Sequence, residues 1–395
     1  MHAGDACYTF RDPTRLPPIS ASQIQSGIAS GVFVAPPGTP RHFYRPTAAF
    51  LDDPDGARLF PGIPTWIITE PPPFTLSLRD VTLIGTRTLL TRDLLFTHDQ
   101  SFYDRRARRK FLARLALPNS FDNEHTGLVP TSTTDRFRLP PANRPLHRMD
   151  GTVVLLCSAE PTNYGSFLFR VLPKLIGLRP NVARHRFMLW SNPADTWHRA
   201  FLNLLGVPDA NILHHDPNER YDIAHAIMPS QRNPGAFLDT ETSAFYAQIR
   251  ADFGTPRTPR RIYVSRQAYN RLPAVTRVLL NEAELIERLR AKGFDIVEPE
   301  RLTPAQQIAV FSSADLVVGP AGSGMFNTVF CHPGARVIDI ESEPHWIYTH
   351  TNLFASLGLR YGVFEGLVEE GNVPAAHKPW RVNIDALLHR IENFE

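Results

Sequence analysis

The feature that most constrains the fold is a regular alternation of two patterns after residue 150. Continuous apolar runs, such as VVLLC at 153–157 and DLVVG at 315–319, are typical of strands buried on both faces of a sheet. Segments between such runs, for example NEAELIERLRAKG at 281–293, repeat apolar residues at helical spacing. Because crossover helices join parallel strands, this alternation predicts parallel βαβ units.

Two helices of the second half carry capping signals. Asn281 followed by Glu284 predicts a capping box, and Gly293 predicts the end of the same helix. Thr303 followed by Gln306 predicts a second capping box. These signals strengthen the prediction of helices between the buried strands.

Proline and the alternating runs divide the chain. There are 36 prolines, and they crowd the first third, where short runs such as FTLSLRDVTLIG predict small antiparallel strands and DRRARRKFLARLAL predicts a helix. The stretch GTPRTPR at 254–260 predicts a linker. We therefore expect an α/β protein in which two Rossmann-like domains face a cleft. The predicted ranges are 1–145 for a β-rich N-terminal region, 150–255 for the first domain and 260–395 for the second.

Composition narrows the class of partner and the compartment. The chain has 42 basic and 39 acidic residues, a balance that argues against a nucleic-acid binder. Its basic residues are mostly arginines, which suit planar contacts with phosphate or carboxylate. The three cysteines are far apart in sequence, so we expect neither a disulfide framework nor a zinc site. No signal peptide or membrane-length apolar run is evident, and a cytoplasmic protein is predicted.

A glycine-rich turn is the clearest candidate for a binding site. The stretch VVGPAGSGMFNTVF at 317–330 places three glycines where a buried strand ends and a helix begins. Open α/β sheets bind ligands at the carboxyl ends of their strands. Small residues let the backbone approach a ligand closely, and the first N–H groups of a helix attract an anion. The turn predicts a phosphate or nucleotide-sugar site, although a plain tight turn remains an alternative.

Several linked stretches resemble the family 61 glycosyltransferases, formerly a domain of unknown function and associated with capsular polysaccharide synthesis. They are RIYVSRQ, RVLLNEAEL, the block from GFDIVEP to RVIDIE, and NYGSFLFRVLPKL, and together they lie within about residues 150–345. The resemblance is to a bacterial-like branch. The positions that match the family pattern are Asn163, Tyr164, Phe167, Leu172, Pro173, Ser265, Arg266, Arg277, Asn281, Glu282, Gln307, Gly322, Gly324, Asn327 and Pro333.

The resemblance implies a B-type glycosyltransferase fold and inverting transfer of a sugar. The donor would be a nucleotide-diphosphate sugar, and the acceptor a glycan or glycolipid of surface polysaccharide biosynthesis, with no metal or other cofactor. The chain departs from the family at Ser166 and Ala321, where histidines are common, and at Arg170, where an acid is common. These departures leave open a nucleotide-sugar binding protein that has lost catalysis. An epimerase or hydrolase on the same fold is a further alternative.

A leaving diphosphate needs positive charge or backbone N–H groups around it. The predicted donor-binding residues are Ser265, Arg266, Arg271, Arg277, Glu282, Gly322, Ser323, Gly324 and Asn327. For the arginines, the alternative is solvation of a surface loop. Glu282 would either contact a sugar hydroxyl or serve the helix dipole. Asn327 would either hold the glycine turn or contact the donor.

The acceptor hydroxyl needs a general base. Glu341 at the end of the strand RVIDIE, and Glu343 and His345 just after it, are candidates for this role, with Glu343 and His345 preferred and Glu160 as a rival in the first domain. Trp346 offers a stacking surface, although packing against a neighbouring domain is an alternative.

Two other features are weaker. The Asp53–Asp55 pair resembles a metal motif, but an Asx-type turn explains it and no metal is expected. The basic helix at 104–116 predicts either peripheral contact with anionic lipid at the inner membrane face or a solvated surface.

Overall fold

The protein is described by a computed structural model that covers most of the chain. The described residues are 7–10, 32–34, 41–46, 48–60, 66–70, 73–92, 94–97, 105–117, 126–131, 135–140, 145–158, 160–189, 196–233, 235–270, 277–342, 347–370 and 378–394. They divide into two compact units. Unit 1 comprises Met1–Arg41 and Thr69–Pro234, and unit 2 comprises His42–Ile68 and Gly235–Glu395.

The strands are numbered in chain order. They are β1 Cys7–Phe10, β2 Val32–Val34, β3 Arg41–Arg45, β4 Leu51–Asp52, β5 Arg58–Phe60, β6 Trp66–Glu70, β7 Thr75–Ile84, β8 Thr88–Thr91, β9 Leu94–Thr97, β10 Val129–Pro130, β11 Arg136–Arg138, β12 Leu146–Leu155, β13 Arg186–Leu189, β14 Ile212–His214, β15 Arg220–Pro229, β16 Arg260–Val264, β17 Asp295–Val297, β18 Ala314–Pro320, β19 Arg336–Glu341, β20 Arg360–Glu365, β21 Leu367–Val368 and β22 Trp380–Arg381.

The helices are numbered in the same way. The α-helices are α1 Arg105–Ala116, α2 Tyr164–Ser166, α3 Trp197–Leu204, α4 Thr240–Phe253, α5 Gln267–Asn270, α6 Glu282–Ala291, α7 Pro304–Ser313, α8 Ile347–Ser356 and α9 Ile384–Glu392. A π-helix, Phe167–Val171, follows α2 directly, and the 3₁₀ helices are Leu172–Arg184, Asp209–Asn211, Pro299–Arg301 and Ser323–Phe330.

Unit 1 is built on a mixed sheet. Its described strands follow the order β10-β11-β1-β9-β8-β7-β15-β12-β13-β14, with β2 also paired to β7. The strands β15, β12, β13 and β14 are parallel, whereas β7 pairs with β15 in antiparallel orientation. Alternate residues of β7 are apolar, and Leu76 and Leu78 are buried in one apolar core with Val153 and Leu155 of β12. This period-two pattern is the one that predicted a strand there.

Unit 2 is built on a sheet in the order β17-β16-β18-β19-β20-β4-β5. All neighbours except the β4–β5 pair run parallel. Helices lie between successive strands of the sequence from β16 to β20. Tyr263, Leu285, Val318, Ile338 and Phe364 are buried in one apolar core of this unit. The predicted parallel βαβ units are therefore present in unit 2.

The expected α/β class is confirmed. Among the described strands of the first 145 residues, β3 and β6 form a two-stranded sheet of their own, and the others join one of the two large sheets. Strands β1, β2 and β7–β11 join the sheet of unit 1, and β4 and β5 join that of unit 2. The physical reason is that open sheets have edges, and these short strands cover them. The arrangement of two Rossmann-like domains around a cleft, with the ranges 1–145, 150–255 and 260–395, stays a prediction.

The capping predictions had different outcomes. Thr303 and Gln306 form the predicted capping box of α7. Gly293 follows α6 with a φ of +79°, a conformation that glycine adopts at low cost. The predicted box of Asn281 is wrong, because its side chain makes no cap hydrogen bond. It exchanges two hydrogen bonds with the backbone of Val382 instead, at 2.8 and 3.1 Å.

The basic helix α1 turns its apolar residues toward the protein. Phe111, Leu112 and Leu115 are buried in a core of unit 1, while Arg109 and Lys110 are exposed. An apolar helix face for insertion into a bilayer is thus already covered by the fold. Within the described ranges, no helix is both long and apolar enough to cross a membrane.

Candidate functional site

The order of strands in unit 2 places two of the predicted motifs side by side. From β16 the chain passes to β17 on one side and then returns to β18 on the other, so that β16 pairs with both. At such a switch point the connections leave in opposite directions, and the crevice outside the carboxyl ends of the strands is the usual ligand site. Ser265 and Arg266 follow β16, and the glycine turn follows β18.

Glu282 fixes the backbone at the end of β16. Its carboxylate Oε1 accepts hydrogen bonds from the backbone N–H of Arg266 at 2.8 Å, the hydroxyl of Ser265 at 3.1 Å and the hydroxyl of Tyr263 at 3.3 Å. The side chain is buried, and this burial raises its pKa, while the hydrogen bonds from Arg266 and Ser265 oppose the shift. Glu282, the first residue of α6, therefore fixes the backbone from which the Arg266 side chain extends. This role goes beyond a favourable interaction with the helix dipole.

Two arginines converge on the glycine turn. Arg266 Nη1 donates to the carbonyl oxygen of Ala321 at 3.1 Å, and Arg277 Nη2 donates to the same oxygen. A Cβ built on Gly322 would lie 3.0 Å from Arg266 Nη1 and 3.4 Å from Arg277 Nη2. Both arginines are partly exposed, as is Gly322. Positive charge is therefore concentrated beside the turn. The two guanidinium groups can lie this close to the backbone because Gly322 has no Cβ.

The glycines of the turn serve close approach rather than unusual backbone torsion. Gly322 has a φ of 160°, which is extended, and neither Gly319 nor Gly324 has a positive φ. A Cβ on Gly319 would come within 2.8 Å of Met325 Sδ and 2.9 Å of Val264 Cβ. On Gly324 it would lie 3.1 Å from Val264 Cγ1. Gly319 and Gly324 thus let the turn pack against β16, while Gly322 makes room for the arginines.

The helix after the turn is a buried 3₁₀ helix. Ser323 and Gly324 are partly exposed at its start, and all residues from Met325 to Phe330 are buried. Asn327 is fully buried and donates to the carbonyl oxygen of Gly324 at 3.1 Å. This bond favours the reading in which Asn327 holds the turn. The first N–H groups of a helix have no acceptor within the helix, and Ser323 and Gly324 are the first residues of this one.

A second group of polar residues lies at the carboxyl end of the neighbouring strand β19. Asp339 and Glu341 are fully buried there, and Asp339 Oδ2 lies 2.8 Å from His350 Nδ1 of α8. His350 Nδ1 is 3.7 Å from Glu341 Oε1. Burial raises the pKa of Glu341 well above its ordinary value, the charge of Asp339 raises it further, and Arg277 opposes both. The sequence indicated Glu341 as a candidate base, but it did not indicate Asp339 or His350, although two acids in an apolar strand are a signal.

The rival acid of unit 1 is engaged elsewhere. Glu160 is exposed and pairs with Arg170 Nη1 at 3.0 Å. The same arginine nitrogen lies 3.4 Å from the Ser166 hydroxyl, and Ser166 N–H donates to Asn163 Oδ1 at 2.9 Å. Asn163, which matches the family pattern, and Ser166 and Arg170, which depart from it, therefore form one local network around Glu160.

The predicted site residues can now be placed. Unit 2 brings together Ser265, Arg266, Arg277, Glu282, Gly322, Ser323, Gly324 and Asn327 at one edge of its sheet. Arg271, Glu343 and His345 lie outside the described residues, as does Trp346. The predicted turn at Asp53 is present, because its carboxylate accepts from the N–H groups of Asp55 at 3.0 Å and Ala57 at 2.8 Å.

The part of the chain that carries these motifs matches a known protein family. Residues 164–338 match the family model described as Glycosyltransferase 61. The matched region begins at the motif around Ser166, contains both arginines and the glycine turn, and ends within β19. No curated protein matches the chain significantly. The match supports family 61, and the protein is a glycosyltransferase enzyme.

Proposed function

We propose that this enzyme moves a sugar from a nucleotide-diphosphate donor to a glycan or glycolipid acceptor, with inversion, in surface polysaccharide biosynthesis. The observation that supports the proposal most is the convergence of Arg266 and Arg277 above Gly322 at a topological switch point. A diphosphate is the part of such a donor that needs this charge, because negative charge builds on it as the sugar leaves.

The roles of the residues follow from that chemistry. The acceptor oxygen attacks the anomeric carbon, the bond from that carbon to the diphosphate oxygen breaks, and the acceptor proton passes to a base. Arg266 and Arg277 would bind the diphosphate, together with N–H groups of Ser323 and Gly324. These cations, rather than a metal ion or another cofactor, would neutralise the leaving group. Glu282 would act through Arg266, whose backbone it holds at 2.8 Å.

The general base is proposed among the residues that follow β19. Glu343 and His345 come shortly after the carboxyl end of this strand, which ends at Glu341. A neutral imidazole takes up a proton near physiological pH, and this suits His345 for the role. Glu160 is the weaker candidate, since its carboxylate is paired with Arg170.

Nucleotide binding tests the proposal. Replacing Arg266 by Ala removes charge-assisted hydrogen bonds, which contribute about 1.5–3 kcal/mol, so we expect the dissociation constant for nucleoside diphosphates to rise by about 10- to 150-fold. The matched control is Arg288→Ala, which removes an exposed arginine of α6 that pairs with Asp385. Calorimetry with a panel of nucleoside diphosphates gives the affinities. Equal affinity in wild type and Arg266→Ala would remove Arg266 from the site.

A binding protein without transfer is the second candidate. The hydrogen bonds from Arg170 to Glu160 and Ser166 favour it, because the family commonly has other residues at positions 166 and 170. Saturable binding of a nucleotide sugar without turnover, with a range of acceptors, would support it. Release of free sugar or an epimerised donor without an acceptor would instead indicate a hydrolase or epimerase.

The location is proposed to be the cytoplasm, at the inner face of the membrane. The basic side chains exposed on α1, such as Arg109 and Lys110, support electrostatic contact with anionic lipid headgroups rather than insertion, because the apolar face is packed inside unit 1. Sedimentation with anionic vesicles at low and high salt would test this contact, and equal binding to neutral vesicles would contradict it.

A further inference from the structure

The group Asp339, Glu341 and His350 has the geometry of a set of metal ligands. Asp339 and Glu341 are two residues apart on β19, and side chains at that spacing point to the same face of a strand. His350 reaches them from α8. One ligand atom from each residue can be chosen so that all three lie within 4.8 Å of one another.

Burial makes this arrangement costly unless something positive occupies it. Asp339 and Glu341 are fully buried, and His350 is almost so. Among the described residues, neither carboxylate oxygen of Glu341 has a hydrogen-bond partner, and neither does Asp339 Oδ1. A buried carboxylate without donors is strongly disfavoured. Asp339, and Glu365 on the next strand, add negative charge near Glu341, and Arg277 compensates for part of it.

The distances between ligand atoms agree with those around a single ion. Ligands that bind a zinc ion at about 2.1 Å are about 3.0 Å apart at right angles and about 3.4 Å apart in a tetrahedron. The corresponding separations here are 2.8 Å from His350 Nδ1 to Asp339 Oδ2 and 3.7 Å to Glu341 Oε1. The donor set contains one imidazole and two carboxylates. An imidazole favours a transition metal over magnesium or calcium.

We propose that Asp339, Glu341 and His350 bind a divalent transition-metal ion, with Zn²⁺ as the ion tested first. To bind the ion through Nδ1, the neutral imidazole of His350 gives up its hydrogen bond with Asp339 Oδ2 and carries its one proton on Nε2. None of the three ligands is a residue proposed to bind the diphosphate, and Arg277 lies near both groups. The sequence did not reveal the metal site because the ligands come from a strand and a helix without a recognisable spacing.

Metal binding by the full chain tests the proposal. The protein is stripped with a chelator and titrated with Zn²⁺ in a calorimeter, with Mn²⁺ and Mg²⁺ as further probes. We expect one saturable Zn²⁺ site, weaker Mg²⁺ binding, and a rise in melting temperature with Zn²⁺. Glu341→Gln keeps the shape of the side chain and removes its charge, and we expect it to weaken Zn²⁺ binding at least tenfold. Glu287→Gln, which changes an exposed glutamate of α6, is the matched control, and it should bind like wild type.

The competing explanation is that a proton, rather than a metal ion, neutralises the buried negative charge of this group. In that case the stripped wild-type protein takes up no Zn²⁺ at a single site, and the proposal is overturned. Binding that is unchanged in Glu341→Gln overturns it equally. If that variant does not fold, anomalous diffraction at the zinc edge from wild-type crystals decides the matter. An ion within bonding distance of His350 Nδ1 supports the site, and an ion elsewhere or none refutes it.

Discussion

Replacing either of two glycines in the same turn by alanine should affect different properties. Gly322→Ala should weaken nucleotide binding, and Gly319→Ala should lower the free energy of unfolding. In Gly322→Ala the new Cβ would meet the ends of two flexible side chains, Arg266 Nη1 at 3.0 Å and Arg277 Nη2 at 3.4 Å. These guanidinium groups can move aside, and the extended backbone of Gly322 accepts any residue. We therefore expect the free energy of unfolding to change by no more than about 0.5 kcal/mol. The displaced arginines should weaken nucleotide binding by at least about tenfold, or about 1.4 kcal/mol.

Gly319→Ala is the structural counterpart. Its Cβ would lie 2.8 Å from Met325 Sδ, 2.9 Å from Val264 Cβ and 3.1 Å from Val264 O, all within the packed interior. Overpacking of this kind costs about 1–3 kcal/mol. Chemical denaturation gives the stabilities and calorimetry gives the affinities. The reasoning is refuted if Gly322→Ala binds nucleotide as wild type does, or if it loses as much stability as Gly319→Ala.

Two further predictions concern the residues around the site. Burial raises the pKa of Glu282, and a carboxyl whose folded pKa is raised contributes stability at low pH that is lost as the pH rises through that pKa. The melting temperature of Glu282→Gln relative to that of wild type should therefore rise from about pH 4 to about pH 7. A difference that does not change with pH would contradict the raised pKa of Glu282. Thr303→Ala removes the capping box of α7 and should lower the free energy of unfolding by about 1 kcal/mol without changing nucleotide affinity; an unchanged stability in urea would show that the cap contributes nothing.

The sequence predicted the elements of unit 2 well because their periods are regular. The apolar run DLVVG became β18, and the helix that starts at Thr303 has the predicted cap. Asn281 was misread because a residue far along the chain, Val382, provides backbone partners that a local pattern cannot reveal. The joining of early strands to both sheets was missed for the same reason, since strand pairing depends on distant partners.

The candidate site was predicted in part. We predicted that the glycine turn and Arg266 belong to one site, because glycines and an arginine at the ends of strands are typical of anion binding. What the sequence could not give was that Arg277 meets Arg266 on a single carbonyl oxygen, or that Glu282 holds the backbone of Arg266. His350 was not recognised as a partner of Asp339, since a helix and a strand bring them together across 11 positions of sequence.

The central claim is that this protein transfers a sugar with inversion from a nucleotide-diphosphate donor. The most direct measurement is proton nuclear magnetic resonance of purified protein incubated with a panel of such donors and glycan or glycolipid acceptors, with Arg266→Ala run in parallel. The account predicts a new anomeric signal from a glycosidic product whose configuration is opposite to that of the donor. With Arg266→Ala this signal should be lost or strongly reduced. A product that retains the donor's anomeric configuration, or donors that bind and remain intact with every acceptor, would contradict it.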